Sequence, residues 1–186
     1  MTRRRRPSVP WFVITGRRRR LPLAAVVVVL LALVWRYFSA PPGPPEVLAE
    51  GLYEVQRVVD GDTLLLANHA RVRLIGADTP ETVKPNHPVE PWGPEASEFS
   101  RQFVAGRQVR LELDRERVDK YGRFLAYVWV GDRMLNEELI RAGLARAELQ
   151  YHYSTSMKTR FRRAEADAKS AGRGIWSGQP AAADSL

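Results

Sequence analysis

The hydrophobic pattern changes character twice along the chain. From Leu21 to Phe38 (LPLAAVVVVLLALVWRYF) the positions are apolar on every side, with Arg36 as the one charge. Such a run predicts a helix with no polar face. Past residue 50 the apolar positions fall into short runs. Tyr53–Val59, Thr63–Ala67 and Arg71–Ile75 have strand length and strand composition, and Asn68-His69 suits a tight turn. Val109, Leu111 and Leu113 alternate with Arg110 and Glu112, which predicts a half-buried strand. Phe124–Val130 is apolar on both faces, as a central strand would be. Helical spacing appears in three places. Ala96, Phe99, Phe103 and Val104 form one stripe within Gly93–Val104, with Pro94 in the first turn. Leu135, Leu139 and Ile140 form another, stopped by Gly143, and Met157, Phe161, Ala164 and Ala168 a third, stopped by Gly172.

Five strands before the second of these helices suit a small closed β-barrel of the OB type with helices packed on it. The chain of 186 residues then holds one such domain plus extensions. The predicted division is a basic arm (1–20), a transmembrane helix (21–38), a proline-rich linker (39–50, containing PPGPPE), the barrel domain (51–178) and a tail (179–186).

Net charge is +8, which suggests a nucleic-acid patch until its location is read. Residues 1–20 hold eight arginines and no acid, while residues 37–186 hold 20 Lys+Arg against 21 Asp+Glu. The excess is therefore a topology signal. By the positive-inside rule the arm is cytoplasmic and the domain extracytoplasmic, with Trp35, Tyr37 and Phe38 at the interface and Arg36 snorkelling. A cleaved signal peptide is the rival reading, but Phe38 and Pro41 fit poorly around a cut after Ala40. With no cysteine, disulfides, zinc–thiolate sites and cysteine nucleophiles are excluded.

Four polar clusters interrupt the strands: Asp60-Gly61-Asp62-Thr63, Arg73, Asp78-Thr79-Pro80-Glu81, and Asp119-Lys120-Tyr121-Gly122-Arg123. Each alone has a bland reading: Asp-Gly is a common hairpin turn, Asp-Thr-Pro-Glu a cap, Arg73 a solvated edge residue, and 119–123 a polar loop. Together they match what hydrolysis of a phosphodiester needs. Negative charge builds on the phosphate oxygens during attack, and hard cations or guanidinium forks stabilise it. Asp62 and Asp78, at the ends of neighbouring strands, can converge on one calcium ion, with the Thr79 backbone carbonyl as a third oxygen. Glu81 is placed to orient or deprotonate a water near that ion. Arg73 and Arg123 can each hold a phosphate oxygen.

The stretches VVDGDTLLL (58–66), VRLIGADTPET (72–82), WGPEAS (92–97), DKYGRFLAYVWV (119–130), LNEELIRAGLA (135–145) and GIWS (174–177) resemble, in order and spacing, the staphylococcal nuclease (thermonuclease) family over residues 53–177. The resemblance implies an OB-fold barrel with three helices that cleaves DNA and RNA with Ca2+. It implies that Asp62, Asp78 and the Thr79 carbonyl ligate calcium, with Asp60 an acid one layer out. It implies Glu81 as general base or water-positioning residue, and Arg73 and Arg123 as phosphate-binding, transition-state arginines. Tyr121 falls in the nucleotide pocket, and Lys84 in a loop that contacts the strand. Tyr151 and Tyr153 match a later tyrosine pair when two extra residues are allowed, with packing as the equal alternative. His152 reads as an exposed loop residue. The chain departs from the pattern at 83–91 (VKPNHPVEP), where Asn86 and His87 stand at positions that can be lysine.

Three functions remain open on this reading. One is a membrane-anchored, calcium-dependent nuclease acting on single-stranded DNA or RNA. The second is a catalytically weak nucleic-acid-binding or protein-interaction module of the same fold. The third is a docking domain with a structural role. The presence of all six side chains (Asp60, Asp62, Arg73, Asp78, Glu81, Arg123) favours the first. No protein partner is inferable.

Overall fold

The computed structural model describes residues 23–38, 43–82 and 88–178. Two units part between Pro41 and Pro42. The first contains helix α1 (Leu23–Phe38), whose side chains from Val26 to Arg36 are all exposed. The expected helix began at Leu21, and Leu21 and Pro22 lie outside the described residues. The 16 residues of α1 rise only about 24 Å, short of the ~30 Å hydrocarbon layer. Among the described residues, no helix is long and apolar enough to cross a membrane.

In the second unit, β1 (Gly51–Asp60), β2 (Thr63–Leu66) and β3 (Arg71–Leu74) form an antiparallel meander. The two-residue β4 (Ala77–Asp78) and helix α2 (Gly93–Val104) follow. Next come β5 (Gln108–Glu112), β6 (Phe124–Val130), the short β7 (Arg133–Met134) and helix α3 (Leu135–Arg141). The last elements are β8 (Arg146–Ala147), helix α4 (Thr155–Ser170) and a 3-10 turn at Gly174–Trp176.

Strand β1 serves two neighbours. Gly51–Glu54 pair with β5, and Val55–Asp60 pair with β2 across two register irregularities. Such irregularities bend a strand and allow a sheet to curl. Parallel pairing of β3 with β6, in register Arg73↔Leu125, then closes a five-stranded barrel (β3-β2-β1-β5-β6). The expected five strands and the three helices of this unit are all present. The two-residue strands β4, β7 and β8 were not foreseen, because so few residues carry no periodic signal.

The barrel is filled by Leu64, Leu66, Val72, Leu74, Leu111 and Leu125, with Tyr127 and Phe161 sealing the side under α4. Asn136, fully buried on α3, staples the seam. Its Nδ2 donates to the carbonyls of Ile75 (3.0 Å) and Ala126 (3.2 Å), and its Oδ1 accepts the Val128 N–H (2.9 Å). A buried amide with its valences met costs little to bury and fixes the arrangement of the groups around it.

Candidate active site

The turn from β1 to β2 sets two acids side by side. Gly61 between them lies so close to Ala96 of α2 and to Thr79 that a Cβ would come within 2.8 Å of each. Only glycine fits there, and this contact presses the acidic turn against the 78–82 loop. Both aspartates are buried.

Asp60 ties the loop down. Its Oδ1 accepts from Gly61 N (2.9 Å), Thr82 Oγ1 (2.6 Å) and Ser97 Oγ (3.4 Å). The Glu81 side chain also lies within hydrogen-bonding reach of it. Burial by itself would raise the Asp60 pKa. The hydrogen bonds from Glu81, Thr82 and Gly61 outweigh burial and hold it below the ordinary carboxylate range.

Asp62 has the opposite balance. Its Oδ2 accepts from Arg73 Nη1 (2.9 Å) and Thr79 N (3.2 Å), and its Oδ1 from Thr63 Oγ1 (2.9 Å). Burial nonetheless pushes its carboxyl up, against the pull of Arg73. Arg73 is fully charged, since the carboxylates of Asp62 and Asp78 overcome burial and drive its pKa still higher.

Arg73 is the centre of the cluster. Nη2 donates to Asp78 Oδ1 at 2.6 Å and faces Glu148 Oε2 at 3.4 Å. One guanidinium thus meets three carboxylates. Its Nε is buried without a hydrogen-bond partner, as is the Thr79 hydroxyl. An uncompensated buried N–H beside a charged fork is a donor suited to an anionic oxygen. The Asp78 side chain is about half exposed (49%), so the cluster opens to solvent on that side. Next to it lies a cleft of about 440 Å³ whose lining includes Asp78, Thr79, Trp92 and Arg146.

Arg123 immediately precedes β6 and is brought in by the β3–β6 seam. Asp119 fixes it from below: Oδ1 accepts the backbone N–H of Tyr121 and Arg123 (2.9 Å each), and Oδ2 accepts Arg123 Nε (2.7 Å). The free edge of the fork, Nη1, donates to Thr63 Oγ1 at 3.5 Å. Tyr121 is exposed beneath the guanidinium, 5.3 Å from ring centre to Cζ.

The structure therefore brings Asp60, Asp62, Arg73, Asp78, Thr79, Glu81 and Arg123 into one connected set. Tyr151 borders it, with its phenol pushed up by burial and by Glu148. Tyr153 is core: 2% exposed, packed against Tyr127 and Phe161, and donating to the Glu148 carbonyl (2.9 Å). Packing, one of its two sequence readings, is thus the role this geometry supports, and its phenol is pushed up to about 12 by burial and Glu148. His152 is exposed, as expected. Lys84, Asn86 and His87 lie outside the described residues.

Sequence reasoning missed Glu148 and the linking role of Thr63. Glu148 is brought in by the β4–β8 pair, and no motif surrounds it.

The sequence that builds this arrangement of acids and guanidiniums has counterparts among known proteins. A profile of staphylococcal nuclease homologues matches residues 71–178. The chain belongs to the staphylococcal nuclease family. It is 46% identical over 131 residues to the thermonuclease of Staphylococcus hyicus, covering 69% of this chain and 77% of that protein. It is 43% identical over 159 residues to the thermonuclease of Staphylococcus intermedius, covering 81% and 93% respectively. The endonuclease YncB of Bacillus subtilis strain 168 is 41% identical over 127 residues, 66% of this chain and 60% of that protein.

Proposed function

We propose that the chain is a calcium-dependent nuclease that hydrolyses phosphodiester bonds of DNA or RNA by attack of water. The observation that carries this reading is Arg73 held between Asp62 and Asp78 while Arg123 reaches Asp62 through one hydroxyl. The relatives' names, thermonuclease and endonuclease, support it.

The donor set suits a hard cation. Around Asp62 and Asp78 the side-chain ligands are oxygens, and Asp62 is a desolvated carboxylate whose charge a divalent ion would offset. Among the described residues, no three His, Asp or Glu side chains gather closely enough to hold an ion by themselves. Asp62 and Asp78 would therefore hold calcium with help from the Thr79 carbonyl and water. The ion, when bound, supplies positive charge to the phosphate oxygens. The protein's own groups do the rest. Arg73 offers its unpartnered Nε, and Arg123 the edge now resting on Thr63, to the oxygens on which charge grows. Glu81 leaves Asp60, orients the attacking water and takes its proton. Tyr121 and Tyr151 flank the arginines where a base can stack, and single strands present bases freely. Lys84 is proposed to meet the strand's backbone.

The test is cleavage of single-stranded DNA by the full chain in detergent, with calcium or with chelator. Cutting should require calcium. Glu81→Gln and Arg123→Ala should each slow it by about 10³-fold or more while substrate binding survives. If both variants cut at the parental rate, the roles are wrong. Binding without cleavage in any condition would favour the non-catalytic module.

We also propose that residues 21–38 attach the nuclease to the cell membrane, arm inside and domain outside. The all-round apolar surface of α1 and the flanking Arg17–Arg20 support this. Full chain should remain with membranes after an alkaline carbonate wash, and externally added protease should remove the domain. Release of a soluble, N-terminally trimmed domain would point to signal cleavage instead.

A further inference from the structure

In the cluster described above, Arg73 occupies the position between Asp62 and Asp78 that a cation would take. Both nitrogens of its fork are committed there, Nη1 to Asp62 at 2.9 Å and Nη2 to Asp78 at 2.6 Å. A divalent ion drawn to those carboxylates meets a resident positive charge. Displacing that charge into an apolar surrounding would leave a buried cation without a partner, a large cost.

Glu148 removes this obstacle. Its Oε2 lies 3.4 Å from the same Nη2 that bonds Asp78. Its other oxygen accepts Gln150 Nε2 at 2.6 Å. Its backbone is pinned on both sides: the N–H donates to the Gly76 carbonyl (3.0 Å), and the carbonyl accepts the Tyr153 hydroxyl (2.9 Å). Gly76 has φ 76° and a Cβ there would meet Phe161 and Tyr153 within 2.8 Å, so this backbone has little room to shift. A carboxylate on a fixed backbone therefore lies beside Nη2, while Asp62 holds the other nitrogen of the fork, Nη1.

Resting on the nuclease reading, we propose that Glu148 is a positioning residue that receives Arg73 when calcium takes Asp62 and Asp78. Nη2 passes from Asp78 to Glu148 without losing a carboxylate partner. Nη1 and Nε are then released toward the phosphate. Glu148 makes no contact with the ion; it acts through Arg73, lowering the cost of moving it.

The consequence is a coupling that can be measured without catalysis. Calcium alone is titrated calorimetrically into the full-length chain in detergent, for the parent, Glu148→Gln, Arg73→Gln and the double variant, with thermal melts to verify folding. Glu148→Gln should raise the calcium Kd about fivefold when Arg73 is present, because the guanidinium then clings to Asp78. In the Arg73→Gln background the same change should move Kd by less than about twofold, since nothing remains to be received. The calcium concentration giving half-maximal cleavage should shift with the Kd in Glu148→Gln. Equal factors in both backgrounds would reduce Glu148 to a distant charge and overturn the proposal, as would no effect in either. A parent chain that binds no calcium would remove the nuclease reading along with it. A parent that binds, with additive variants, would remove this inference alone. If Arg73→Gln fails to fold, Arg73→Lys replaces it, and the fivefold effect should shrink there too, a single ammonium having no fork to span Asp62 and Asp78.

Discussion

Arg123 rests its free guanidinium edge on the hydroxyl of Thr63, 3.5 Å away, and that hydroxyl donates to Asp62 at 2.9 Å. The two halves of the site, acids from the β1–β2 turn and the arginine before β6, are joined by this one oxygen. Thr63→Val keeps the β-branched shape that the strand prefers and removes the link. Cleavage should fall about tenfold, the scale of one lost positioning hydrogen bond of roughly 1.4 kcal/mol. The melting temperature should change little, and Thr63→Ser should restore most of the rate. A steady-state assay beside a thermal melt checks both.

Asp62 is buried at the expense of stability. Its folded pKa lies above the unfolded value of about 3.9, so the folded state favours the protonated form. The stability tied to that proton is full below about pH 4 and is lost as pH rises through the folded value. At pH 7 the charged group costs the fold. Asp62→Asn should therefore raise the melting temperature by about 3 °C, on the order of 1 kcal/mol, while abolishing cleavage. Arg73 keeps Asp78 and Glu148 as partners in that variant, so its charge stays compensated. The advantage should vanish in acid. A lower melting temperature at pH 7 would mean that the Arg73 ion pair outweighs burial.

Asp114 behaves in the reverse sense. Burial raises its pKa, but bonds from Ser154 N (2.9 Å), Tyr127 Oη (2.7 Å) and Arg115 N (2.7 Å) win and hold it low. A carboxylate with a depressed folded pKa stabilises above its unfolded value and loses that contribution as pH falls through the folded one. The parent should be more stable than Asp114→Asn above about pH 4, with the two curves converging further into acid. Melting temperatures from pH 7 down to pH 2 decide it. A constant gap would show that the bonds, and not the charge, matter.

Asn136→Ala should be among the most destabilising single changes. It strips three hydrogen bonds at once, taking the side-chain partner from the Val128 N–H and the Ile75 carbonyl, while the Ala126 carbonyl keeps the Ile75 N–H. The expected cost is about 3 kcal/mol, read from denaturant midpoints. Leucine at this position should do no better, since shape is not what is missing.

The chemistry-bearing residues from 58 to 81 were legible because they are local: acids in a tight turn, an arginine one strand on, and a second acidic loop. The barrel strands were legible because each has at least four residues with a clear apolar rhythm. Glu148 was not, since it reaches Arg73 across 75 positions through a pair of two-residue strands that no periodicity marks. Asp119 was visible only as a polar loop; that it braces Arg123 depends on a turn whose geometry the letters do not state. Tyr153 carried two readings because a tyrosine suits a pocket and a core equally, and α4 packing over its ring decides for the core. The apolar run at the N-terminus was legible as a helix, but its described length is shorter than the sequence predicts.

The barrel is sealed by β3 lying parallel to β6, strands that stand about fifty residues apart in the chain. Asp60, Asp62, Asp78 and Glu81 all precede β6 in the chain, and Arg123 comes immediately before it. A polypeptide interrupted during synthesis before residue 119 carries these four acids and still lacks Arg123, its brace Asp119 and Glu148. The blade is assembled from distant stretches of the chain, so the cell that makes it holds no cutting edge until β6 has been made and the barrel can close.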